Sequence, residues 1–283
     1  MPDAFLLDLD GTLYSGGAPV PGAVAAVAAL HERGIPFRFL TNTTSRSRAG
    51  IVRKLHAFGF AIAPAHIQTP VVVATALARS EGLTTIVPYM VAETFEDLAG
   101  FDLQGGMAGG RDGGKSLSAR PRPSGSPSGP ARPPACLIGD LGTHWSFTLL
   151  QEAFEYLSAG ARFLALSRDR YFRSAEGLRL DAGPFVAALE YATGREATVV
   201  GKPSPAYYAE ALAAVGATGR GERVAMVGDD LWSDVAGAQR AGCQGWLVRT
   251  GKFREEALRQ SGITPDRILD SIADLPRIAD GAK

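Results

Sequence analysis

Carboxylate side chains near the start of the chain suggest chemistry. Asp8 and Asp10 belong to the stretch Asp8-Leu9-Asp10-Gly11-Thr12, which follows an apolar run at 4–7 that is typical of a buried strand. Two carboxylates close together at a buried strand end repel each other unless a proton or a cation lies between them. The stretch therefore indicates a divalent metal site, an acid–base pair, or both. The competing interpretation is an ordinary Asp-Gly turn.

A second carboxylate cluster follows the predicted strand at 223–227. It consists of Asp229, Asp230 and Asp234. Asp230 and Asp234 would also suit the first turn of a helix, where the helix dipole favours negative charge. Asp229 comes directly after Gly228 at the strand end and has no such role, so it is the best candidate for a metal ligand.

Other polar groups follow two further predicted strands. Thr41 and Asn42 come after the strand at 36–40, and Lys202 lies between a strand at 198–200 and a helix that begins near 206. A hydroxyl, an amide side chain and backbone N–H groups before a helix suit a phosphate oxygen, and a lysine would balance the charge. The alternatives are helix capping for Thr41 and an exposed loop position for Lys202.

Strands and helices alternate along the chain, which predicts a parallel sheet with right-handed crossovers. Such sheets bind ligands at the carboxyl ends of their strands, where the polar groups above would meet. The predicted fold class is α/β, with a Rossmann-like parallel-sheet core at 1–70 and 191–283. Residues 71–190 are predicted to form an inserted α/β domain.

The inserted domain itself contains a stretch of different composition at 102–134. It has five basic and two acidic residues and is rich in Gly, Pro and Ser. Because it has no hydrophobic periodicity, it cannot bury enough apolar surface to offset its ordering entropy. We expect a disordered insertion.

Composition excludes several classes of protein. The 283 residues carry 29 basic and 29 acidic side chains, which gives no support for a nucleic-acid-binding protein. Cys136 and Cys243 are far apart, so they form no disulfide framework and suit a reducing cytoplasm. No signal peptide is visible, and no apolar run reaches the roughly 18 residues of a membrane helix. We therefore expect a cytoplasmic protein without a membrane partner.

The ordered motifs resemble those of the haloacid dehalogenase superfamily of phosphatases. The similarity covers the chain outside 102–134, and its four motifs are Asp8-Leu9-Asp10-Gly11-Thr12, Thr41, Lys202, and Gly228-Asp229-Asp230 with Asp234. Thr41-Asn42, Gly201-Lys202-Pro203 and 235–239 resemble subfamily IIA, in which a large C2-type α/β cap lies between motifs two and three. Segments 184–192 and 249–254 are similar to the branch of phospholysine, phosphohistidine and inorganic pyrophosphate phosphatases and a related hydrolase-domain protein.

This resemblance implies a Mg²⁺-dependent phosphatase. Asp8 would attack phosphorus and form an aspartyl-phosphate, and Asp10 would protonate the leaving oxygen and then deprotonate the attacking water. Asp8, Asp229 and the backbone carbonyl of Asp10 would hold Mg²⁺, which prefers hard oxygen ligands. The substrate would be a small phosphomonoester, phosphoramidate or pyrophosphate.

The other motif residues would hold the phosphate. The resemblance assigns Thr41, Asn42 and Lys202 to phosphate oxygens, and Asp234 to Lys202 or to a water on the metal.

The cap would select the substrate and exclude water. Arg168, Asp169 and Tyr171 end a predicted strand of the cap and are candidates for specificity; the competing interpretation is a solvated polar turn. Capped relatives often pair through the cap, so the resemblance admits a homodimer.

Three other functions are weighed against the phosphatase. A catalytically weak phosphate-binding or scaffold protein could keep this fold and use the basic insertion to engage a partner. Intact Asp8, Asp10, Lys202 and Asp229 argue against it. A dehalogenase is disfavoured by Asp10, because halide departure needs no general acid. A nicotinamide-binding protein is disfavoured because no Gly-rich turn follows the first strand.

Overall fold

The structure, a computed structural model, describes residues 1–109, 132–174 and 177–279. The chain divides into two compact units. The first unit comprises Met1–Asn42, Arg48–Thr69 and Lys202–Lys283, and the second comprises Thr43–Ser47 and Pro70–Gly201.

Short strands and helices alternate along both units. The strands are β1 (Ala4–Asp8), β2 (Tyr14–Ser15), β3 (Ala18–Pro19), β4 (Phe37–Leu40), β5 (Ile67–Gln68), β6 (Thr85–Tyr89), β7 (Asp102–Leu103), β8 (Ala135–Ile138), β9 (Arg162–Ala165), β10 (Tyr171–Ser174), β11 (Gly177–Leu180), β12 (Thr198–Val199), β13 (Val224–Gly228), β14 (Gln244–Val248) and β15 (Arg267–Leu269). The α-helices are α1 (Ala23–Glu32), α2 (Arg48–Ala57), α3 (Pro70–Ser80), α4 (Phe147–Ser158), α5 (Gly183–Thr193), α6 (Pro205–Ala214), α7 (Ala236–Arg240), α8 (Glu255–Ser261) and α9 (Leu275–Ala279). A π turn at Leu231–Val235 precedes α7.

The first unit is built on a six-stranded parallel sheet in the order β15-β14-β13-β1-β4-β5. The chain runs outward from β1 through β4 to β5, and later outward on the other side from β13 through β14 to β15. The direction of winding therefore changes between β1 and β13. In open α/β sheets such a switch point opens a crevice at the carboxyl ends of the strands. The prediction of a parallel α/β core is confirmed.

Burial explains why β1 lies at the centre of this sheet. All five of its residues are buried, as an internal parallel strand covered on both faces requires. Phe5 packs edge-on against Trp246 of β14, with ring centroids 5.7 Å apart, and belongs to the core of the first unit. The polar residues after β1 are thus carried on a rigid, fully packed element.

The second unit has its own five-stranded parallel sheet, in the order β12-β9-β8-β6-β7, and a β10–β11 hairpin. The Ser146 hydroxyl accepts a hydrogen bond from the Leu149 N–H and caps α4. One predicted boundary differs from the structure. The sequence assigns residues from 191 onward to the core, yet the second unit continues to Gly201 because β12 pairs with β9.

The predicted insertion at 102–134 begins too early. Asp102–Leu103 forms the edge strand β7 beside β6, with the Asp102 N–H bonded to the Thr84 carbonyl, and a 3₁₀ turn follows at Gly106–Gly109. A two-residue strand held by its neighbour needs no hydrophobic periodicity of its own, so composition does not reveal it. Residues 110–131 of the predicted insertion lie outside the described residues.

The two cysteines behave as core residues. Cys136 and Cys243 are both buried and free, and burial raises the pKa of the Cys243 thiol to about 11. An unreactive thiol in an apolar environment is the expected state. Across the part of the chain that the structure describes, no helix is both long and apolar enough to cross a membrane.

Candidate active site

Polar side chains of the first unit converge at the carboxyl ends of β1, β4 and β13. Asp8 is the last residue of β1, Thr41 directly follows β4, and Asp229 directly follows β13. The strand registers align these ends, since Leu7 pairs with Val227 and Asp8 with Leu40. Carboxylate oxygens of Asp8, Asp229 and Asp234 lie within 4.8 Å of one another.

Lys202 lies between two of these carboxylates. Its Nζ is 2.5 Å from Asp8 Oδ1 and 2.7 Å from Asp234 Oδ1. The lysine side chain is only 3% exposed and that of Asp234 only 1%, so solvent hardly screens the pairs. Although burial opposes the charge on Lys202, Asp234 and Asp8 raise its pKa well above the ordinary value. Lys202 is therefore a permanent cation in the site, and the exposed-loop interpretation is wrong.

The side chain of Asn42 fixes the backbone of Lys202. Asn42 Oδ1 accepts the Lys202 N–H at 2.7 Å, and Asn42 Nδ2 donates to the Lys202 carbonyl at 3.0 Å. Both polar atoms of the amide are thereby engaged. The structure thus gives the Asn42 side chain a role in positioning the lysine, and the contact of Asn42 with phosphate stays a prediction.

Thr41 is held in a similar way. Its backbone N–H donates to the Tyr207 hydroxyl at 3.0 Å and to the Gln68 carbonyl at 3.2 Å. The sequence predicts backbone N–H groups facing phosphate here, but that of Thr41 is used within the fold. A phosphate contact by this residue would come from its hydroxyl.

Asp229 is oriented by the loop after β14. The backbone N–H of Lys252 donates to Asp229 Oδ2 at 2.7 Å, and the Thr250 hydroxyl donates to the Gly11 carbonyl at 2.5 Å. A Cβ on Gly251 would lie 2.0 Å from Asp229 Oδ2 and 2.6 Å from the Gly11 Cα. A Cβ on Gly11 would lie 1.9 Å from the same oxygen. Only glycine allows the two loops to close around this carboxylate.

The remaining carboxylates of the second cluster have different roles. Asp230 caps the following turn, since its Oδ1 accepts the N–H groups of Trp232 and Ser233, and its Oδ2 pairs with Lys252 Nζ at 3.1 Å. This agrees with the capping interpretation of Asp230. Asp234 instead is buried and faces Lys202, with Oδ2 accepting the Asp230 N–H at 3.2 Å.

Asp10 differs from Asp8 in its surroundings. It is exposed, whereas Asp8 is buried. Among the described residues, none forms a hydrogen bond or ion pair with the Asp10 carboxylate. The sequence predicts repulsion between Asp8 and Asp10 at a buried strand end. Burial is the main cause that raises the pKa of Asp8, and the anion that adds to the rise is Asp229. Asp10 lies beyond the strand, in a turn where Gly11 has φ of +91°.

The charges at the site fit a divalent cation. Asp8, Asp229 and Asp234 supply three carboxylates and Lys202 one ammonium, which leaves an excess of two negative charges among these buried groups when all are ionised. Burial and the charge of Asp234 raise the pKa of Asp229 to about 6, and burial and Asp8 raise that of Asp234 to about 6 in spite of Lys202. Buried carboxylates in excess are stabilised by a cation, and oxygen donors suit Mg²⁺. The residues present therefore fit the predicted ion.

The predicted specificity residues lie in the second unit. Arg168 is half-exposed and pairs with Glu190 at 2.6 Å, and the Asp169 carbonyl accepts the Gly183 N–H. Tyr171 is 56% exposed at the start of β10. The Arg168 guanidinium already has a carboxylate partner, which is a structural role within this unit.

Four residues that contact the site have no role there in the prediction from the sequence, although segment 249–254 is named for its family resemblance. Thr250, Gly251 and Lys252 follow β14, and a strand-end search extended to this strand would have found them. Tyr207 lies inside a helix, and nothing in the local sequence marks its hydroxyl as a contact of Thr41.

Comparison with known proteins identifies the family. A model described as haloacid dehalogenase-like hydrolase matches residues 5–102, and one described as HAD-hydrolase-like matches 199–275. Human phospholysine phosphohistidine inorganic pyrophosphate phosphatase is 34% identical over 275 residues, covering 95% of this chain and 91% of that protein. The chain belongs to the haloacid dehalogenase-like hydrolases.

Further members of this hydrolase family are similar along most of the chain. Bovine haloacid dehalogenase-like hydrolase domain-containing protein 2 is 36% identical, covering 89% of this chain and 85% of that protein. The solved structure of p-nitrophenyl phosphatase from Archaeoglobus fulgidus superposes with a TM-score of 0.81 at 26% identity, covering 98% and 99% of the two chains. The predicted family and the prediction of a phosphatase enzyme are confirmed.

Proposed function

We propose that this phosphatase hydrolyses a small phosphorylated molecule with the help of Mg²⁺, through a phosphoryl group carried on Asp8. The observation that carries the proposal is the position of Lys202, buried between Asp8 and Asp234 with Asp229 close by. Carboxylates in excess around a fixed ammonium are suited to a cation and a phosphate, and have no evident purely structural use.

Asp8 is the nucleophile in this proposal. A carboxylate attacks only when ionised, and burial raises the pKa of Asp8 while Lys202 opposes the rise. The ammonium at 2.5 Å thus favours the ionised form of Asp8 and fixes the orientation of the carboxylate. A bond forms between an Asp8 oxygen and phosphorus as the bond from phosphorus to the leaving oxygen breaks.

Asp10 is the acid and base. In the first step it donates its proton to the leaving oxygen, and in the second it accepts a proton from the water that attacks phosphorus and releases orthophosphate from Asp8. Its exposed carboxylate has no competing partner in the described chain, so it is accessible to water and substrate.

The remaining groups hold the ion and the phosphate. Asp8, Asp229 and the Asp10 carbonyl would hold Mg²⁺, which when bound supplies positive charge against the transferring phosphoryl group. Lys202 and the Thr41 hydroxyl would contact phosphate oxygens. Asn42 acts through Lys202, whose backbone it binds, and Asp234 fixes the ammonium.

The names of the relatives suggest the substrate class. The name of the human relative contains phospholysine and phosphohistidine, which have phosphoryl–nitrogen bonds, and inorganic pyrophosphate. The archaeal relative is named as a p-nitrophenyl phosphatase, and p-nitrophenyl phosphate is an aryl phosphate. We therefore propose a small phosphoramidate, pyrophosphate or phosphomonoester.

Phosphate release from a panel of these compounds tests the proposal. Wild type and Asp8→Asn are compared with Mg²⁺ and with a chelator. The expected result is turnover that requires the metal and is lost in Asp8→Asn. Folded wild type that hydrolyses no member of the panel would contradict the proposal and favour a phosphate-binding protein on the same fold.

A further inference from the structure

Two adjacent tyrosines on α6 contact two different loops of the site. Tyr207 and Tyr208 are fully buried, and their rings cross at 73° with centroids 6.3 Å apart. Successive helical residues point about 100° apart, so the two hydroxyls reach in different directions. Both lie close behind Lys202 in the sequence, on the helix that its loop leads into.

The Tyr207 hydroxyl joins α6 to the ends of β4 and β5. It accepts the Thr41 N–H at 3.0 Å and has the carbonyls of Thr41 and Gln68 at 2.8 and 2.9 Å, to one of which it donates its proton. Gln68 Nε2 in turn donates to the Tyr207 carbonyl at 2.7 Å. Gln68 therefore binds the backbone of Tyr207, and the Thr41 N–H is shared between the Tyr207 hydroxyl and the Gln68 carbonyl.

This contact works in parallel with that of Asn42. The Asn42 side chain binds both backbone groups of Lys202, and the Tyr207 hydroxyl accepts the Thr41 N–H and lies 2.8 Å from the Thr41 carbonyl. The two segments that supply Thr41 and Lys202 are thus tied together at two points. Their separation is set by these hydrogen bonds rather than by the strands alone.

Tyr208 performs the corresponding task for Asp234. Its hydroxyl lies 2.7 Å from the Ser233 carbonyl and 3.2 Å from the Asp234 carbonyl. A Cβ on Gly237 would lie 3.0 Å from this hydroxyl, so α7, which follows the turn, packs closely against the ring. The backbone that carries Asp234, the second partner of Lys202, is therefore fixed to the same helix.

We propose that Tyr207 and Tyr208 are positioning residues, whose hydroxyls hold Thr41 and Asp234 at the distances from Lys202 that phosphate binding requires. Phenylalanine would fill the same space and leave the loops unattached. The inference rests on the proposed function, because it assigns Thr41 and Lys202 to phosphate. It adds that the geometry of this pair is maintained from α6.

The test compares Tyr207→Phe and Tyr208→Phe with wild type, and with Tyr89→Phe as a matched control. Tyr89 is equally buried, lies in the second unit, and its hydroxyl has no hydrogen-bond partner among the described residues. Calorimetric titration with orthovanadate and with inorganic phosphate, in the presence of Mg²⁺, gives the affinity and the stoichiometry separately. Kinetics with 4-nitrophenyl phosphate give kcat and KM.

In Tyr207→Phe, we expect the Kd for both anions to rise and kcat/KM to fall by about ten-fold, because the Thr41 N–H keeps only the Gln68 carbonyl as acceptor, a backbone carbonyl loses its donor, and Thr41 shifts. The binding stoichiometry should stay that of wild type. In Tyr208→Phe, we expect a smaller change of about three-fold, since carbonyls alone lose their donor. Tyr89→Phe should stay within about two-fold of wild type.

A purely structural role would give a different pattern. A lower melting temperature or a lower stoichiometry, with Kd and kcat/KM per folded molecule equal to wild type, would overturn the inference. If Tyr207→Phe fails to fold, Tyr208→Phe provides the same discrimination by itself. Wild type that neither binds the anions nor turns over substrate would instead refute the proposed function. That result differs from the one that overturns the inference, in which wild type is active and the variants have the same Kd and kcat/KM.

Discussion

Replacing Lys202 by methionine removes the ammonium from between Asp8 and Asp234 and keeps most of the side-chain volume. Removing one partner of a buried ion pair costs about 3–5 kcal/mol, because the other charge stays buried without compensation. Here the pKa of Asp234 is already raised to about 6. Asp234 can therefore take up a proton when the ammonium is lost, which limits the loss of stability. We therefore expect the free energy of unfolding to fall by about 3 kcal/mol, at the low end of that range.

Lys252→Met is the matched comparison for stability. Lys252 pairs with Asp230 at 3.1 Å, but its side chain is 70% exposed, and such surface pairs contribute about 0–1 kcal/mol. Both variants are unfolded in urea with a chelator present, because a cation among the carboxylates would mask the loss of Lys202. Activity with Mg²⁺ is measured for Lys202→Met, where we expect kcat/KM to fall by about 10²–10³-fold.

Two results would refute this reasoning. Lys202→Met and Lys252→Met would unfold at the same urea concentration if the burial of Lys202 with Asp8 and Asp234 had no energetic consequence. Lys202→Met would keep kcat/KM within a few-fold of wild type if the ammonium did not act on the reacting groups.

Three further variants test separate parts of the account. Gly251→Ala should weaken Mg²⁺ binding by on the order of ten-fold in calorimetry, since its Cβ would lie 2.0 Å from Asp229 Oδ2. Asn42→Ala should lower kcat/KM by about ten-fold, because the buried backbone of Lys202 loses its hydrogen bonds. Asp181→Asn should stabilise the protein by about 1 kcal/mol near pH 8, after allowance for partial exposure. Burial raises the pKa of Asp181 to about 6, with Asp169 and Asp140 adding to the rise.

Each of these has its own control or contradicting result. Gly262 has φ of +67°, and a Cβ placed on it would meet no other atom within 4 Å. Gly262→Ala therefore has the same kind of backbone strain as Gly251→Ala but no new contact, and it should bind Mg²⁺ normally. An equal loss of Mg²⁺ affinity in both variants would exclude the contact with Asp229 as the cause. Unchanged kinetics in Asn42→Ala would show that Lys202 needs no such support. For Asp181, a raised folded pKa costs stability as pH rises from about 4 through 6, so the gain should vanish below about pH 4. A gain of equal size at both ends would contradict a charge effect.

Local sequence patterns predict which polar groups meet at the carboxyl ends of the strands. Asp8, Thr41 and Asp229 each follow an apolar run, and the carboxyl ends of buried parallel strands meet at one edge of a sheet. Lys202 is predicted by the same reasoning, because it stands between a strand and a helix. Residue type and position along the chain are enough for these groups.

The supporting contacts could not be predicted in this way. Asn42 binds the backbone of Lys202 across 160 positions, and the Tyr207 hydroxyl reaches Thr41 across 166. Their geometry depends on how β4 and α6 pack, which no local pattern encodes. The exposure of Asp10 likewise depends on the direction of the turn after β1.

The most direct test of the central claim is to trap the phosphoryl group on Asp8. Asp10→Asn is mixed with 4-nitrophenyl phosphate and Mg²⁺ and quenched in acid, and the peptide that contains Asp8 is weighed by mass spectrometry. The aryl leaving group needs little protonation, whereas the loss of the base slows attack by water, so the first step should outrun the second. We expect a phosphorylated Asp8 peptide in Asp10→Asn and none when Asp8→Asn is added. Continued release of phosphate by the double variant, with no phosphopeptide in either protein, would contradict it.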